Sequence, residues 1–241
     1  SFITGRLPHE HGIYRYQYWS NPLIDFFSKL PHRLRLSTWL YRLGRRPIGQ
    51  LGKLLEKGGY RRSYVGKELL TGPTLFERVR NSVALSVPGY NWHPSYAWLN
   101  ARLEHALDGR GTGEFIEECW SVYRRRKAEL LSLLHQEWTL VVCHFHLGDL
   151  LGHLYFSNRP RLEGEVYLEF ERLAGQVRKA LGERALILIV SDHGMWNGHH
   201  TPYGFYSSNL PLGLERPKLT DFYATIVNYV ERSEQTISSD E

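Results

Sequence analysis

The chain contains 241 residues, of which 42% are hydrophobic and 23% are charged, and its formal net charge is +5. This is the composition of an ordinary soluble globular protein, and the length suffices for one large α/β domain or for a domain with an insert. No apolar run approaches the length of a membrane span and nothing resembles a signal peptide, so we expect no transmembrane segment.

The cysteine content and the first residue bear on the cellular compartment. Cys119 and Cys143 are the two cysteines. They are too few for a disulfide framework and favour a reducing compartment, so we expect a cytoplasmic protein. The single methionine is Met195, and the chain opens on Ser1 in what reads as the middle of a structural element. We therefore expect a fragment or a processed form, for which an upstream signal peptide stays open.

The first third of the chain is basic and aromatic. Residues 1–13 predict a short helical end and a loop. Residues 14–75 show no strand alternation, so we predict a cap or insert there, with an amphipathic helix near 34–43, within a single domain spanning 1–241. Residues 21–70 contain eleven Lys or Arg and three acidic residues. This surplus can attract nucleic acid, anionic lipid or a phosphorylated substrate, but a solvated helical surface is the favoured interpretation.

Strands and helices are predicted to alternate after residue 80. Hydrophobic patterning predicts strands at 82–87, 138–145 and 185–191, and helices at 114–135 and 165–181. Residues 90–113 are a further candidate insert, and the polar tail at 231–241 is expected to be frayed.

The last two strands predict where a functional site lies. A helix between them implies that 138–145 and 185–191 form a parallel pair joined by a right-handed crossover. In open α/β sheets, sites form beyond the carboxyl ends of the strands. Asp149 follows the first of these strands, and Asp192 with His193 ends the second, so we expect all three at the same edge of the sheet.

Acidic and imidazole side chains cluster at that edge. Asp149 and His153 lie four residues apart, which on a helical turn places both on one face, close enough to hold one ion. His200, or with less support His199, could return to this ion from a later loop. Each residue alone is more often a cap or a hydrogen-bonded core side chain, but half of the twelve histidines lie between residues 144 and 200. Together they predict a site for zinc, manganese or iron.

Two further histidines alternate along the end of a predicted strand. His144 lies near the end of the predicted strand 138–145, and His146 follows it directly. We expect them to be structural, or to support the ligands from behind, rather than to bind metal.

Several segments of the chain resemble the motifs of one family. They are Thr4–Ile13, Val87–Tyr90, Asp149–His153, Ser191–Met195 (Ser-Asp-His-Gly-Met), His200–Thr201 and Tyr203–Tyr206. In this order they resemble the alkaline phosphatase superfamily, and the nearest branch is that of type I phosphodiesterases and nucleotide pyrophosphatases. The resemblance implies an α/β alkaline phosphatase-like sandwich, in which helices flank a central, mostly parallel sheet whose first strand is expected to be missing here.

The resemblance also implies a hydrolase with two divalent metal ions. By motif match, Asp149, His153 and His200 hold one ion, and Asp192 and His193 help to hold the other. Zinc is the expected metal, and manganese or iron could take its place. In such enzymes a Thr or Ser hydroxyl attacks phosphorus in line.

The nucleophile is the missing part of this pattern. The family places it before the Thr-Gly of the first motif, and it places one more metal-binding Asp further upstream, so both are expected to precede Ser1. Ser1 and Thr4 are the nearest hydroxyls, but Thr4 matches a later, structural Thr of the family. The catalytic residue therefore stays unassigned, and the chain alone is expected to have little activity.

Three kinds of function remain open at this point. The leading prediction is a metal-dependent hydrolase of phosphodiesters or nucleotide pyrophosphates that acts on a small phosphorylated or nucleotide substrate. A phosphomonoesterase, a phosphoglycerate mutase-like enzyme or a sulfatase-like enzyme would share the metal core and differ in its inserts. The second kind is a non-catalytic metal-binding relative, and the third is a nucleic-acid-binding protein that uses residues 21–70.

Overall fold

A computed structural model describes residues 1–13, 17–19, 62–155, 160–183 and 185–239. Its helices are α1 (Pro8–His11), α2 (Leu75–Arg78), α3 (Pro94–Leu107), α4 (Thr112–Leu133), α5 (Leu147–Tyr155), α6 (Pro160–Leu181) and α7 (Asp221–Ser239). Its strands are β1 (Gln17–Trp19), β2 (Arg62–Tyr64), β3 (Ser82–Leu85), β4 (Leu140–Cys143), β5 (Leu188–Ser191), β6 (Met195–Trp196), β7 (His199–His200) and β8 (Phe205–Ser208). The fold is mixed α/β, and none of these helices is long and apolar enough to cross a membrane.

Most elements predicted after residue 80 are confirmed to within a few residues. The three predicted strands correspond to β3, β4 and β5, and the two predicted helices correspond to α4 and α6. The predicted cap at 14–75, including the helix near 34–43, lies mostly outside the described residues. Within it, β1 and β2 form an antiparallel pair.

Helix α3 occupies the region that the sequence suggested as a second insert. Its start is defined by His93, whose side chain accepts a hydrogen bond from the backbone N–H of Ser95, and by Pro94 at the first helical position. Tyr96 and Leu99 bury its inner face, with exposed fractions of 2% and 1%. Residues 94–107 therefore belong to the core of the domain rather than to an insert.

Helix α7 corrects the expectation of a frayed tail at 231–241. The structure describes this stretch through Ser239, and it is helical to that residue. Phe222, Ile226 and Val227 are buried at a spacing that lies on one helical face. Residues 231–235 are exposed, so the buried side chains near the start of the helix anchor it to the domain.

The strands form two-stranded sheets in the described residues. β3 and β4 are parallel, with Leu85 opposite Cys143, and β5 and β8 are antiparallel, with Ser191 opposite Phe205. The predicted parallel pairing of 138–145 with 185–191 is not found among the described residues, where β4 pairs with β3 and β5 pairs with β8. The connection from β5 to its antiparallel partner β8 carries the strands β6 and β7.

Apolar clusters cover both faces of β4. Val141 and Cys143 pack against a cluster built from α3, α4, α5 and α6. Leu140 and Val142 belong to a second cluster, which contains Ile226 and Val227 of α7 and also Leu188 of β5. β4 and β5 thus both pack against the second cluster.

Candidate metal centre

Helix α5 carries two of the predicted ligands. It begins four residues after β4, and Leu150 and Leu151 are 1% and 0% exposed, so they anchor its inner face in the core. Asp149 lies in the first turn and His153 in the last. The i, i+4 spacing places both side chains on the same outer face, as predicted.

A hairpin after β5 brings the third side chain back to α5. β6 and β7 are antiparallel, with Met195 opposite His200. Asn197 and Gly198 join them with φ values of 48° and 72°, the left-handed conformation that an Asn-Gly hairpin turn requires. Opposite residues share a face of the ribbon, so His200 lies on the side of Met195.

Close packing against Gly152 explains why this ribbon can approach the helix. A Cβ atom on Gly152 would lie 3.1 Å from Cε and 3.2 Å from Cγ of Met195. Trp196 and His199 pair with each other on the opposite face of the ribbon, and both are exposed. The structure therefore turns His200, and not His199, toward α5.

Three side chains converge on one point. Oδ1 of Asp149 lies 2.8 Å from Nε2 of His200 and 3.4 Å from Nε2 of His153, and the two Nε2 atoms are 3.1 Å apart. For metal–ligand bonds of about 2.0–2.2 Å, donor atoms of a tetrahedral site lie about 3.3–3.6 Å apart. The observed triangle is slightly smaller, and its one carboxylate and two imidazoles suit a divalent transition metal.

His193 joins this group and Asp192 lies at its edge. Nε2 of His193 is 3.7 Å from Oδ1 of Asp149, and its ring stacks on that of His200 with centroids 3.7 Å apart. Ligand atoms of Asp149, His193 and His200 all lie within 4.8 Å of one another. The Asp192 side chain is 55% exposed and contacts only His193 among these residues, at 3.7 Å.

Backbone carbonyls orient two of the imidazoles. Nδ1 of His153 is 2.7 Å from the carbonyl oxygen of Gly198, and Nδ1 of His193 is 3.1 Å from that of Gly194. A carbonyl only accepts hydrogen bonds, so Nδ1 donates in both rings. In the neutral rings Nε2 then carries the lone pair, which is the arrangement that metal-binding histidines commonly show.

The charges of Asp149 and His153 are coupled. Burial alone would raise the pKa of Asp149, but hydrogen bonds with His146 and His153 outweigh it and hold this pKa well below its usual range. The hydrogen bond to Asp149 raises the pKa of His153, against the opposing effect of burial. The carboxylate is therefore ionised at neutral pH, and a cation and a proton compete for His153.

The two hydroxyls at the start of the chain, those of Ser1 and Thr4, have hydrogen-bonding partners. Thr4 is buried, its Oγ1 donates to the carbonyl of Ser1 at 3.4 Å, and it accepts from the backbone N–H of Arg6 at 3.3 Å. Oγ of Ser1 lies 3.4 Å from Nε2 of His11. Nδ1 of His11 accepts from the N–H of Ile13, so Nε2 is the protonated nitrogen and is no base for Ser1.

Two features that build the site were not predicted. The first is the hairpin turn at Asn197-Gly198, which returns His200 to α5. The Asn-Gly dipeptide is a strong hairpin signal and could have identified this turn from the sequence. The carbonyl of Gly198 that orients His153 had no such signal, because a backbone contact across 45 residues depends on the placement of the whole ribbon.

Comparison with known proteins agrees with the motif resemblance. The family model described as type I phosphodiesterase / nucleotide pyrophosphatase matches residues 1–206. The match includes every residue of the candidate metal centre. No curated protein and no solved structure matched the chain.

Proposed function

This chain belongs to the type I phosphodiesterase / nucleotide pyrophosphatase family, and we propose that it supplies the metal centre of a divalent-metal-dependent hydrolase of phosphodiesters or nucleotide pyrophosphates. Membership of a family that hydrolyses phosphate esters supports the reaction class. The observation that carries the proposal is the triangle formed by Asp149, His153 and His200, whose donor atoms lie 2.8–3.4 Å apart.

The proposed ligand set follows from the residue types. Asp149, His153 and His200 would hold one ion, and Asp192 and His193 would help to hold a second. The contact of His193 with Asp149 supports a short distance between the two sites. A set rich in imidazole with a few carboxylates suits zinc, and it would also accept manganese or iron. When bound, such ions stabilise negative charge on the oxygens of a phosphoryl group undergoing displacement.

The nucleophile is proposed to be a Ser or Thr that precedes Ser1. In-line displacement requires a free hydroxyl close to the ions. The hydrogen bonds of Thr4, and the protonated nitrogen of His11 facing Ser1, make both hydroxyls poor candidates. The same observation favours a second candidate function, a metal-binding relative without catalysis.

The positive charge of residues 21–70 suggests which kind of substrate the protein binds. We propose that residues 14–75 form a cap on a single α/β domain, and that the positive surplus of residues 21–70 favours a small anionic substrate such as a nucleotide. Most of this segment lies outside the described residues, so the proposal depends on charge alone.

Metal content tests the ligand assignment. Asp149→Ala and His153→Ala each remove a donor from a small set, so we expect each to weaken zinc binding by more than about tenfold. His199→Ala is the matched control, because His199 is adjacent to His200 but faces away from α5. Elemental analysis after dialysis against zinc, with circular dichroism to verify folding, measures the effect. Unchanged zinc in both ligand variants would refute the assignment.

Activity of the complete encoded protein tests the reaction. We expect it to hydrolyse bis(p-nitrophenyl) phosphate faster than p-nitrophenyl phosphate or p-nitrophenyl sulfate, and to lose this activity with a chelator. A preference for the monoester or the sulfate would favour a phosphomonoesterase-like or sulfatase-like member of the superfamily. Metal binding without hydrolysis of any of the three would favour the non-catalytic relative.

A further inference from the structure

The structure assigns a role to His146, which takes no part in the metal centre proposed above. We propose that His146 is a positioning residue: its Nε2–H group holds Oδ2 of Asp149, so that Oδ1 of the same carboxylate is presented to the divalent cation. This inference rests on the proposed metal centre. It concerns how the centre is held in place rather than which residues bind the ion.

The two oxygens of Asp149 have different neighbours. Oδ1 faces the imidazole nitrogens of His153, His193 and His200 at 2.8–3.7 Å. Oδ2 lies 3.1 Å from Nε2 of His146. The carboxylate therefore has one oxygen on the side of the candidate ion and one oxygen fixed on the opposite side.

The proton on His146 can be placed from its surroundings. A carboxylate oxygen only accepts hydrogen bonds, so Nε2 of His146 is the donor to Asp149. Nδ1 of His146 is buried and has no hydrogen-bond partner among the described residues. A buried N–H group without an acceptor is costly, whereas a bare ring nitrogen costs less. The hydrogen-bonding proton is therefore on Nε2, and the ring has no free nitrogen that faces the ion.

Aromatic packing fixes the direction of this donor. The His146 ring stacks on Trp92, with centroids 5.6 Å apart and planes 20° apart, and it lies 5.4 Å from the ring of Tyr96. Tyr96 is itself buried and donates its hydroxyl hydrogen bond to the carbonyl of His144. The His146 side chain is 11% exposed. Trp92, in the loop before α3, and Tyr96, in α3, thus fix the orientation of the His146 ring, which in turn contacts Asp149.

A fixed carboxylate binds a cation better than a free one. With Oδ2 held by His146, Asp149 is already oriented to offer a single oxygen, and less conformational freedom is lost when the ion binds. Removing a hydrogen-bond partner of a metal ligand typically lowers metal affinity by about 10–100-fold. The same range is expected here, because Asp149 contributes the only carboxylate of the triangle.

Zinc affinity in two matched variants tests the proposal. His146→Phe retains a flat ring for Trp92 and Tyr96 but has no donor, and we expect its zinc dissociation constant to rise by about 10–100-fold. In His146→Gln the side-chain amide restores a donor at a similar reach, and we expect affinity within a few-fold of the wild type. Competition with a chelating dye measures both, and the d–d absorption of the Co²⁺-substituted protein reports whether the ligand geometry changes in the Phe variant alone.

The outcomes separate this proposal from the metal centre itself. If the wild type binds zinc and His146→Phe binds it equally well, the positioning role is refuted while the metal centre stands. If His146→Gln is as weak as His146→Phe, ring packing rather than the donor matters, and the proposal is again refuted. If the wild type binds neither zinc nor Co²⁺, both proposals are refuted.

One measurement needs no variant, should His146→Phe fail to fold. Long-range ¹H–¹⁵N spectra of the wild-type imidazoles distinguish a ring protonated on Nε2 from one protonated on Nδ1. We expect His146 to carry its proton on Nε2, both with and without zinc, and to be identified by the signals lost in His146→Gln. A proton on Nδ1 would overturn the proposal.

Discussion

At the scale of single residues, the histidines near the candidate site have different roles, which depend on how buried each ring is and on which groups it contacts. His153 and His200 present Nε2 to the carboxylate of Asp149, and His146 supports that carboxylate from behind. Nδ1 of His144 is buried without a hydrogen-bond partner in the described part of the chain, and its ring packs against those of Tyr96 and His146. The i, i+4 spacing of Asp149 and His153 identifies them as candidate ligands from the sequence alone. The different roles of His144 and His146 could not be predicted, because they depend on the packing around each ring.

The buried ring of His144 predicts a loss of stability in mild acid. Burial lowers the pKa of His144 to about 3, with a smaller contribution from His146. The unfolded chain binds a proton near pH 6.5, whereas the folded chain does not until the pH approaches that lower value. The free energy of unfolding should therefore fall as the pH decreases from about 6.5, by up to about 1.4 kcal/mol per pH unit from this group.

Urea unfolding at several pH values, in the presence of a chelator, isolates this contribution. His144→Leu removes the titrating ring and keeps the site apolar, so its stability should fall less steeply between pH 6.5 and pH 4 than that of the wild type. The chelator prevents loss of bound metal from adding to the slope. Equal slopes in the two proteins would show that His144 takes up no proton on unfolding.

At the scale of elements, the candidate site depends on how the β6–β7 ribbon rests on α5. Apolar runs predicted β3, β4 and β5, and the Asp149–His153 spacing predicted that both side chains share a face of a helix. The partner of β5 was not predictable from its own residues, because pairing with β8 depends on the loop between them. Helix α3 was not predicted, although its buried residues Tyr96, Leu99 and Ala106 recur at helical spacing, because the exposed apolar residues Trp98 and Leu107 obscure the pattern.

Two helical glycines offer a matched test of this packing. A Cβ on Gly152 of α5 would press on Met195 of β6 at 3.1 Å, whereas a Cβ on Gly175 of α6 would meet nothing within 4 Å. Both changes to Ala gain about 0.5–1 kcal/mol of helix propensity. Gly175→Ala should therefore be more stable than the wild type and bind zinc normally. Gly152→Ala should bind zinc more weakly, because the ribbon that carries His200 is displaced.

Urea unfolding and zinc titration of both variants measure these effects. The informative quantity is the difference between the two variants in stability and in zinc affinity, because both variants gain the same helix propensity. Zinc affinity in Gly152→Ala equal to that in Gly175→Ala would mean that Met195 adjusts without moving the ribbon.

At the scale of the whole molecule, binding and catalysis are expected to be separable. The residues of the candidate metal centre lie between positions 149 and 200, and the family model matches residues 1–206. The hydroxyls of Ser1 and Thr4 are engaged by the backbone or by His11. We therefore expect these 241 residues to hold zinc through Asp149 and its neighbours, whereas the hydroxyls of Ser1 and Thr4 are not free to attack phosphorus.

Hydrolysis by the 241-residue chain tests this separation. With zinc supplied, we expect the chain to bind the metal and to release almost no nitrophenol from bis(p-nitrophenyl) phosphate, because metal ions alone do not replace a positioned nucleophile. The same chain extended by any residues encoded before Ser1, where the nucleophile is proposed to lie, should turn over. Robust hydrolysis by the 241 residues alone would contradict the prediction. Ser1→Ala and Thr4→Val would then identify which hydroxyl acts, and loss of turnover in one of them would relocate the nucleophile to the first motif.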